Sequence, residues 1–256
     1  MTSPTGIEFE RWFDALEARH LAVLTFPEVR RAVEALSAVY VERRNRLDSG
    51  ADLESAGKRA AFALFYAPLH FLVADHVARA LPLAEGAPQR VLDLGCGTGV
   101  VGIAASLACG NVPVEAVDRN RWAIGEARWN AETLGVDLRA RPGDLLRQRP
   151  AAGRTLVTLG WTVNELDDSM RDELSSRIES WRLAGASVLV IEPIARRMSP
   201  WWDDWAAFAA ARGGRADDWK FAPQLPARLA LMDKAAGLDH RELKARTLWV
   251  PAQARP

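Results

Sequence analysis

Three glycines at alternate positions, Gly95, Gly97 and Gly99, follow the acid Asp93 in the run Val91-Leu92-Asp93-Leu94-Gly95-Cys96-Gly97-Thr98-Gly99. A short apolar run that ends in glycines and passes directly into helical spacing reads as a strand, a tight loop and a helix N-terminus, whose free N–H groups face a ligand. Glycine is needed there where φ is positive, or where the ligand must reach backbone with no Cβ between. A dinucleotide fingerprint carries its third glycine one residue later, where Val100 stands. The carboxylate of Asp93 would also repel pyrophosphate, and it suits a ligand with positive charge. A nicotinamide-dependent oxidoreductase is therefore the remote alternative. A second acid, Asp118, ends the run Val114-Glu115-Ala116-Val117-Asp118, from which a carboxylate can bind both hydroxyls of a ribose.

Further chemistry-bearing residues fall at other strand ends. Leu156-Val157-Thr158-Leu159-Gly160 runs into Trp161-Thr162-Val163-Asn164-Glu165-Leu166, so Trp161, Asn164 and Glu165 are candidates for contact with a reacting substrate. Glu165 has the chemistry to accept a proton from an amine or hydroxyl, and equally that of a helix-capping acid. Glu192, at the end of Val188-Leu189-Val190-Ile191-Glu192, carries the same two readings. Tyr66 and His70 are four residues apart on one helix face. Trp201, Trp205 and Phe208, flanked by Trp202, share another; such a stripe reads as core first and as a wall for a flat substrate second. Asp239 to Arg246 mixes charges and reads as a solvated edge, with a site at His240 as the weaker reading.

Two kinds of element must position these residues. Residues 1–86 are helical in pattern, with Phe13, Leu16, Val29, Val33 and Leu36 near helical spacing, a polar loop at 48–55 and a helix over about 56–80. From Arg90 onward, short apolar runs at 91–94, 112–117, 136–139, 155–159, 186–191 and 247–250 alternate with helical stretches at 98–109, 120–134, 167–183, 201–212 and 226–236. That alternation predicts a parallel sheet with helices on both faces. The expected division is a helical region over 1–86 and a ligand-binding α/β domain over 87–256.

The segment VLDLGCGTG is similar at every position to the first motif of class I S-adenosylmethionine-dependent methyltransferases. The resemblance covers about residues 88–195 and implies a Rossmann-like, seven-stranded, mostly parallel sheet that binds S-adenosyl-L-methionine. It implies cofactor contacts at Asp93, Gly95, Cys96, Gly97, Gly99, Asp118, Arg119, Asp144, Leu145 and Trp161. Asp144, after Arg141-Pro142-Gly143, is equally readable as a helix cap. Catalytic roles fall on Glu165 and Asn164, and substrate contact on Tyr66, His70 and Glu192. A looser resemblance rests on 59–70, Val163-Asn164-Glu165-Leu166 and Ile191-Glu192-Pro193. It is to the methyltransferase-like family linked to the mitochondrial small ribosomal subunit and its bacterial relatives. Eukaryotic members carry cysteines after the Glu-Pro step that hold an iron–sulfur cluster; residues 195–202 here contain none, so no metal is expected.

Composition bounds the remainder. At 256 residues, with 49% hydrophobic and 26% charged residues, the chain is neither disordered nor a disulfide scaffold. Its 33 basic and 33 acidic residues give no net field toward nucleic acid or anionic lipid. Two cysteines, Cys96 and Cys109, are expected to be buried and reduced. The apolar stretch 60–74 is expected to be too short to span a bilayer, and the N-terminus lacks the pattern of a signal peptide, which points to the cytoplasm. The expected activity is methyl transfer to a small molecule or to a component of the small ribosomal subunit, with no DNA or membrane partner. The alternative is a ribosome assembly factor that binds the cofactor without catalysis.

Overall fold

The structure is a computed structural model that describes residues 6–42, 55–150, 153–195 and 199–253, and within the first stretch the side chains of 8–37. The expected loop at 48–55 lies outside the described residues except for Ser55. In chain order the helices are α1 (Gly6–His20), α2 (Phe26–Glu42), α3 (Ala56–Ala80), α4 (Val100–Ala108), α5 (Arg121–Thr133), α6 (Asp168–Leu183), α7 (Trp202–Ala210) and α8 (Ala227–Ala235). The strands are β1 (Arg90–Leu94), β2 (Val114–Asp118), β3 (Leu138–Pro142), β4 (Thr155–Gly160), β5 (Ala186–Glu192), β6 (Arg215–Phe221) and β7 (Leu243–Val250). Among the described residues two compact units result: a sheet unit within Val73–Trp219 and 244–253, and a helical unit of 6–42 and 55–72 with Lys220–Leu243.

In the sheet unit, seven strands lie in the order β3-β2-β1-β4-β5-β7-β6. β1 pairs in parallel with β2 and β4, and β4 with β5, while β7 runs antiparallel to β5. The chain moves outward from β1 through β2 to β3 and then returns to the other side of β1 at β4. That reversal opens a crevice at the carboxyl ends of β1 and β4, where ligands of open α/β sheets bind. The glycine loop and the turn after Gly160 both begin there.

Alternation along each strand assigns the two faces. Leu92, Leu94, Val157, Leu159, Val188, Val190, Leu248 and Val250 form one core with Leu174, Ile178 and Trp181 of α6 and with Trp201, Trp202 and Trp205. The tryptophan stripe is therefore core; Trp205 is 8% exposed, and its ring meets that of Trp201 at 5.0 Å. Phe208 is only partly buried against this core, with the Arg212 guanidinium 3.6 Å above its ring. On the opposite face α4 packs closely enough that a Cβ at Gly160 would stand 2.5 Å from Val101.

Local signals explain the helix ends. The Asn120 side chain accepts from the N–H groups of Trp122 and Ala123 at 3.0 and 3.2 Å, capping α5. At its other end Gly135 takes φ +68°, and the N–H of Val136 closes back on the Ala131 carbonyl at 2.9 Å. Val136 is thereby spent on the cap, and β3 begins at Leu138 instead of at 136. Replacing Asn120 with alanine is expected to cost about 1 kcal/mol of stability, read by urea unfolding.

Three further expectations need correction. β6 was absent from the sequence pattern, because Arg215, Asp217 and Asp218 in an edge strand have little strand character. The stretch 239–246 is not a solvated edge throughout: from Leu243 it is strand β7, between β5 and β6. Arg246 is 5% exposed there and lies 4.4 Å above the Trp202 ring, while the Asp239–Arg241 pair stays outside. Cys109 is half-buried, whereas Cys96 is buried.

In the helical unit, Glu28 in the first turn of α2 caps back on Thr25: its carboxylate accepts from the Thr25 N–H and from the Thr25 hydroxyl, each at 2.7 Å. Phe9, Trp12 and Phe71 stack together. α3 widens to a π turn at Phe62–Tyr66, where the Ala67 N–H reaches the Phe62 carbonyl. Pro68 explains it: it has no N–H for the carbonyl of Leu64, and the wide turn relieves the clash of its ring with that carbonyl. The helix continues past Pro68 to Ala80, so it is longer than the apolar stretch 60–74 it contains. Among the described residues it is the one helix long and apolar enough to cross a membrane, and two thirds of its apolar window is buried within the protein, as in a core helix.

Candidate active site

The loop after β1 is fixed from several sides. Gly95 and Cys96 donate to the Val117 carbonyl at 2.9 and 3.1 Å, and the Asn130 side chain of α5 donates to the Thr98 carbonyl at 2.9 Å. Gly95, Gly97 and Gly99 have φ of +65°, +50° and +78°, which glycine adopts freely. A Cβ at Gly95 would stand 2.5 Å from the Thr162 side chain, and one at Gly99 2.8 Å from Ala127. Those two glycines make room for protein. Gly97 is different: a Cβ there meets nothing within 4 Å, so its face is open.

Asp93 is 1% exposed. One carboxylate oxygen accepts from the Thr158 hydroxyl at 2.7 Å, and the other from the Gly102 N–H at 3.0 Å. It joins β1, β4 and α4 directly below the loop. Burial pushes its pKa up to about 7; the two hydrogen bonds oppose that rise, and the charge of Asp118 adds to it. Thr158, which the sequence reading missed, is the direct register partner of Asp93 across β1 and β4. That pairing depends on the register of two strands distant in sequence, and no local signal marks it.

Asp118 reaches across from the end of β2. Its carboxylate accepts from the Gly97 N–H at 2.8 Å and from the Asn120 N–H at 2.7 Å. Asp144 caps the short turn Leu145–Arg147 through the Leu146 N–H at 3.0 Å, and pairs with the exposed Arg119 at 3.3 Å. The cap reading of Asp144 is thus realised in the structure. Leu145 is buried beside it in the sheet core.

On the β4 side, Trp161 holds φ +55°, an uncommon and strained state for a side chain of its size. Its N–H donates to the Ile191 carbonyl at 2.7 Å. Thr162, also missed by the sequence reading, packs onto Gly95 and donates to the Gly160 carbonyl at 3.0 Å. Glu192 is fully buried: one oxygen accepts from the N–H groups of Val163 and Asn164 at 2.7 and 3.3 Å. Burial pushes its pKa up to about 8, opposed by those donors and reinforced by Glu165. The Asn164 carbonyl oxygen accepts from Ser199 at 3.1 Å, while Glu165 is exposed. The second Glu192 oxygen, the Asn164 amide nitrogen and the Trp201 indole nitrogen are buried with no hydrogen-bond partner. Such atoms are rare in folded proteins.

Tyr66 and His70 lie in the helical unit, not in this crevice's unit. Among the described residues no group of three or more His, Cys, Asp or Glu is arranged to hold a metal ion.

The methyltransferase small domain family matches residues 74–157. A ribosomal protein L11 methyltransferase from Stenotrophomonas maltophilia (strain R551-3) is 31% identical over 180 residues, covering 69% of this chain and 54% of that protein. A release factor glutamine methyltransferase from Bordetella pertussis is 38% identical over 68 residues, covering 27% of this chain and 25% of that protein. The chain thus spans between a quarter and about half the length of these relatives. The solved structure of LaPhzM superposes with a TM-score of 0.53 at 18% identity, covering 88% of this chain and 70% of that one, a likeness of fold.

Proposed function

We propose that this chain, which belongs by fold and motif to the class I S-adenosylmethionine-dependent methyltransferases, binds S-adenosyl-L-methionine at the β1 loop and transfers its methyl group to an acceptor. The observation that carries this is the open face of Gly97, set between the Asp118 carboxylate and the end of β1. Bound there, the cofactor supplies a methyl group on a positively charged sulfonium. The chain's residues do the remainder. Asp118 keeps unused lone pairs for two ribose hydroxyls, since each ionised oxygen accepts more than one hydrogen bond. Asp93, whose carboxyl titrates near neutrality, gains charge when a cation binds close by. Arg119, Asp144 and Leu145 would border the adenine side. Asn164 and Glu165 would orient the acceptor, with Glu165 receiving its proton. Glu192 fixes the backbone at Val163 and Asn164, immediately before Glu165. Positioning an acceptor in line with the methyl group is the main part of such catalysis.

The acceptor is a small molecule or a ribosomal component. Balanced charge supports the first, and likeness to a methyltransferase of a ribosomal protein supports the second and a cytoplasmic site of action. The test is to incubate the protein with methyl-labelled S-adenosylmethionine and host lysate, then to count RNA, protein and small-molecule fractions. Label in one fraction is expected, and the fraction names the acceptor class. Gly97→Ala should fold, at a strain cost of about 1 kcal/mol, yet bind S-adenosylhomocysteine at least about tenfold more weakly by calorimetry. Unchanged binding by that variant would place the cofactor elsewhere.

A further inference from the structure

The helical unit holds a second group of reactive side chains that shares no residue with the β1 loop. His240 is held by Asp233 twice over: its Nδ1 lies 2.6 Å from one carboxylate oxygen, and its backbone N–H donates to the other at 2.8 Å. Asp233 is 5% exposed, so this carboxylate is withdrawn from water and committed to one imidazole. Such a carboxylate fixes the ring and its tautomer, makes Nε2 the accepting nitrogen, and stabilises the imidazolium formed when Nε2 takes a proton.

A series of rings begins at His240. The His240 ring meets Phe65 edge-on at 5.4 Å, and Phe65 meets Tyr66 edge-on at 5.3 Å. Tyr66, Phe62 and His70 continue the series at 6.1 to 6.3 Å. Phe65 is buried beneath, whereas Phe62, Tyr66, His70 and His240 each keep part of their surface exposed. The π turn at Phe62–Tyr66 sits in the middle of this surface, an irregularity that recurs at functional sites. His70 is held neutral, its pKa pushed down to about 3 by burial and by His240, so the face that adjoins the pair is aromatic and uncharged. Tyr66, hydrogen-bonded to Ser37, is likewise held protonated, with a pKa raised to about 12 by burial.

We propose that this face is a binding site for a planar aromatic compound bearing an acidic hydroxyl, with His240 receiving the hydroxyl proton. The O–H bond of the ligand breaks, its proton passes to Nε2, and the oxygen keeps the electron pair as a phenolate paired with the imidazolium that Asp233 stabilises. The aromatic neighbours offer edge and face contacts to a flat ligand. Binding of this kind does not depend on the methyl-transfer reading; a role as methyl acceptor would.

The probe is 4-nitrophenol, whose phenolate absorbs visible light while its phenol does not. With the full-length protein, saturable binding is expected, with bound probe shifted toward phenolate relative to free probe at the same slightly acidic pH. His240→Asn should lose that shift and weaken binding at least tenfold. Asp233→Asn should reduce the shift while leaving partial binding. His76→Asn, outside the group, should behave as wild type. Calorimetry with S-adenosylhomocysteine on each variant reports separately on folding and on the donor loop. Absence of saturable binding by the wild type overturns the proposal, as does an unchanged shift in a His240→Asn protein that still binds S-adenosylhomocysteine. Failure to bind S-adenosylhomocysteine with the probe shift intact would count against the donor reading alone.

Discussion

Replacing Asp118 with alanine is expected to weaken S-adenosylhomocysteine binding roughly a hundredfold, since two hydrogen bonds to an ionised acceptor contribute about 1.5–3 kcal/mol each and about 1.4 kcal/mol is a factor of ten. The carboxylate acts in two ways. In the proposed function it receives ribose hydroxyls, and in the structure it holds the Gly97 N–H at 2.8 Å and the Asn120 N–H at 2.7 Å. Alanine removes both actions, so the loop loses a fixed point as well as a ligand contact. Asparagine separates them. It retains one acceptor oxygen for the loop but lacks the charge, so Asp118→Asn should fall between wild type and alanine. Asp118 is half-buried at a strand end and fills no part of the sheet core, so both variants should unfold within a few degrees of wild type. Calorimetric affinity alongside thermal unfolding makes the check; an alanine variant that binds like wild type would remove Asp118 from the site.

The crevice was legible in the sequence because its signals are local. Alternate glycines after an apolar run can be read in a window of nine residues, and each proves to have positive φ. Asp118 was legible because a strand end one crossover away falls at a narrow range of spacings. The tryptophan stripe was read correctly as core by its helical period alone. What was not legible depends on register between distant strands. Nothing in Thr155–Gly160 shows that Thr158 rather than Thr155 meets Asp93; only the pairing of β1 with β4 decides it. The same holds for Thr162 against Gly95, a contact across 67 residues of chain.

β6 failed for a different reason. Its half-buried positions are Asp217, Trp219 and Phe221, with only two apolar residues alternating among charges, and an edge strand needs charge to resist pairing with other chains. Two alternating aromatics among four charged residues are too short a signal for hydrophobic periodicity. His240 was masked in the opposite way: its neighbours Asp239 and Arg241 pair with each other in solvent and make the segment look uniformly polar. Its partner Asp233 lies seven residues earlier in α8, at a spacing that carries no motif.

Glu192 offers the sharpest electrostatic test. Folding raises its pKa from 4.5 to about 8, so between those values the folded protein holds a proton that the unfolded chain has lost. Stability from this group is therefore full below the unfolded value and is lost as pH rises to about 8, by up to about 1.4 kcal/mol per pH unit. Asp93 acts with the same sign between 3.8 and about 7. The wild type should lose stability from mildly acidic pH upward, with Glu192 alone sustaining the fall between about 7 and 8. Glu192→Gln keeps an acceptor for the Val163 and Asn164 N–H groups and cannot ionise, so its contribution to the slope in that last interval should vanish. Glu192→Ala leaves both donors unpaired in the interior and should cost about 1–3 kcal/mol for each at every pH. Urea unfolding at half-unit pH steps distinguishes these outcomes, and a Gln variant that declines in parallel with wild type would mean that Glu192 is ionised throughout. A neutral Glu192 also fits its surroundings: its second oxygen is buried with no hydrogen-bond partner, where a charge would be costly to hold. The residue thus holds the β4 turn by hydrogen bonding.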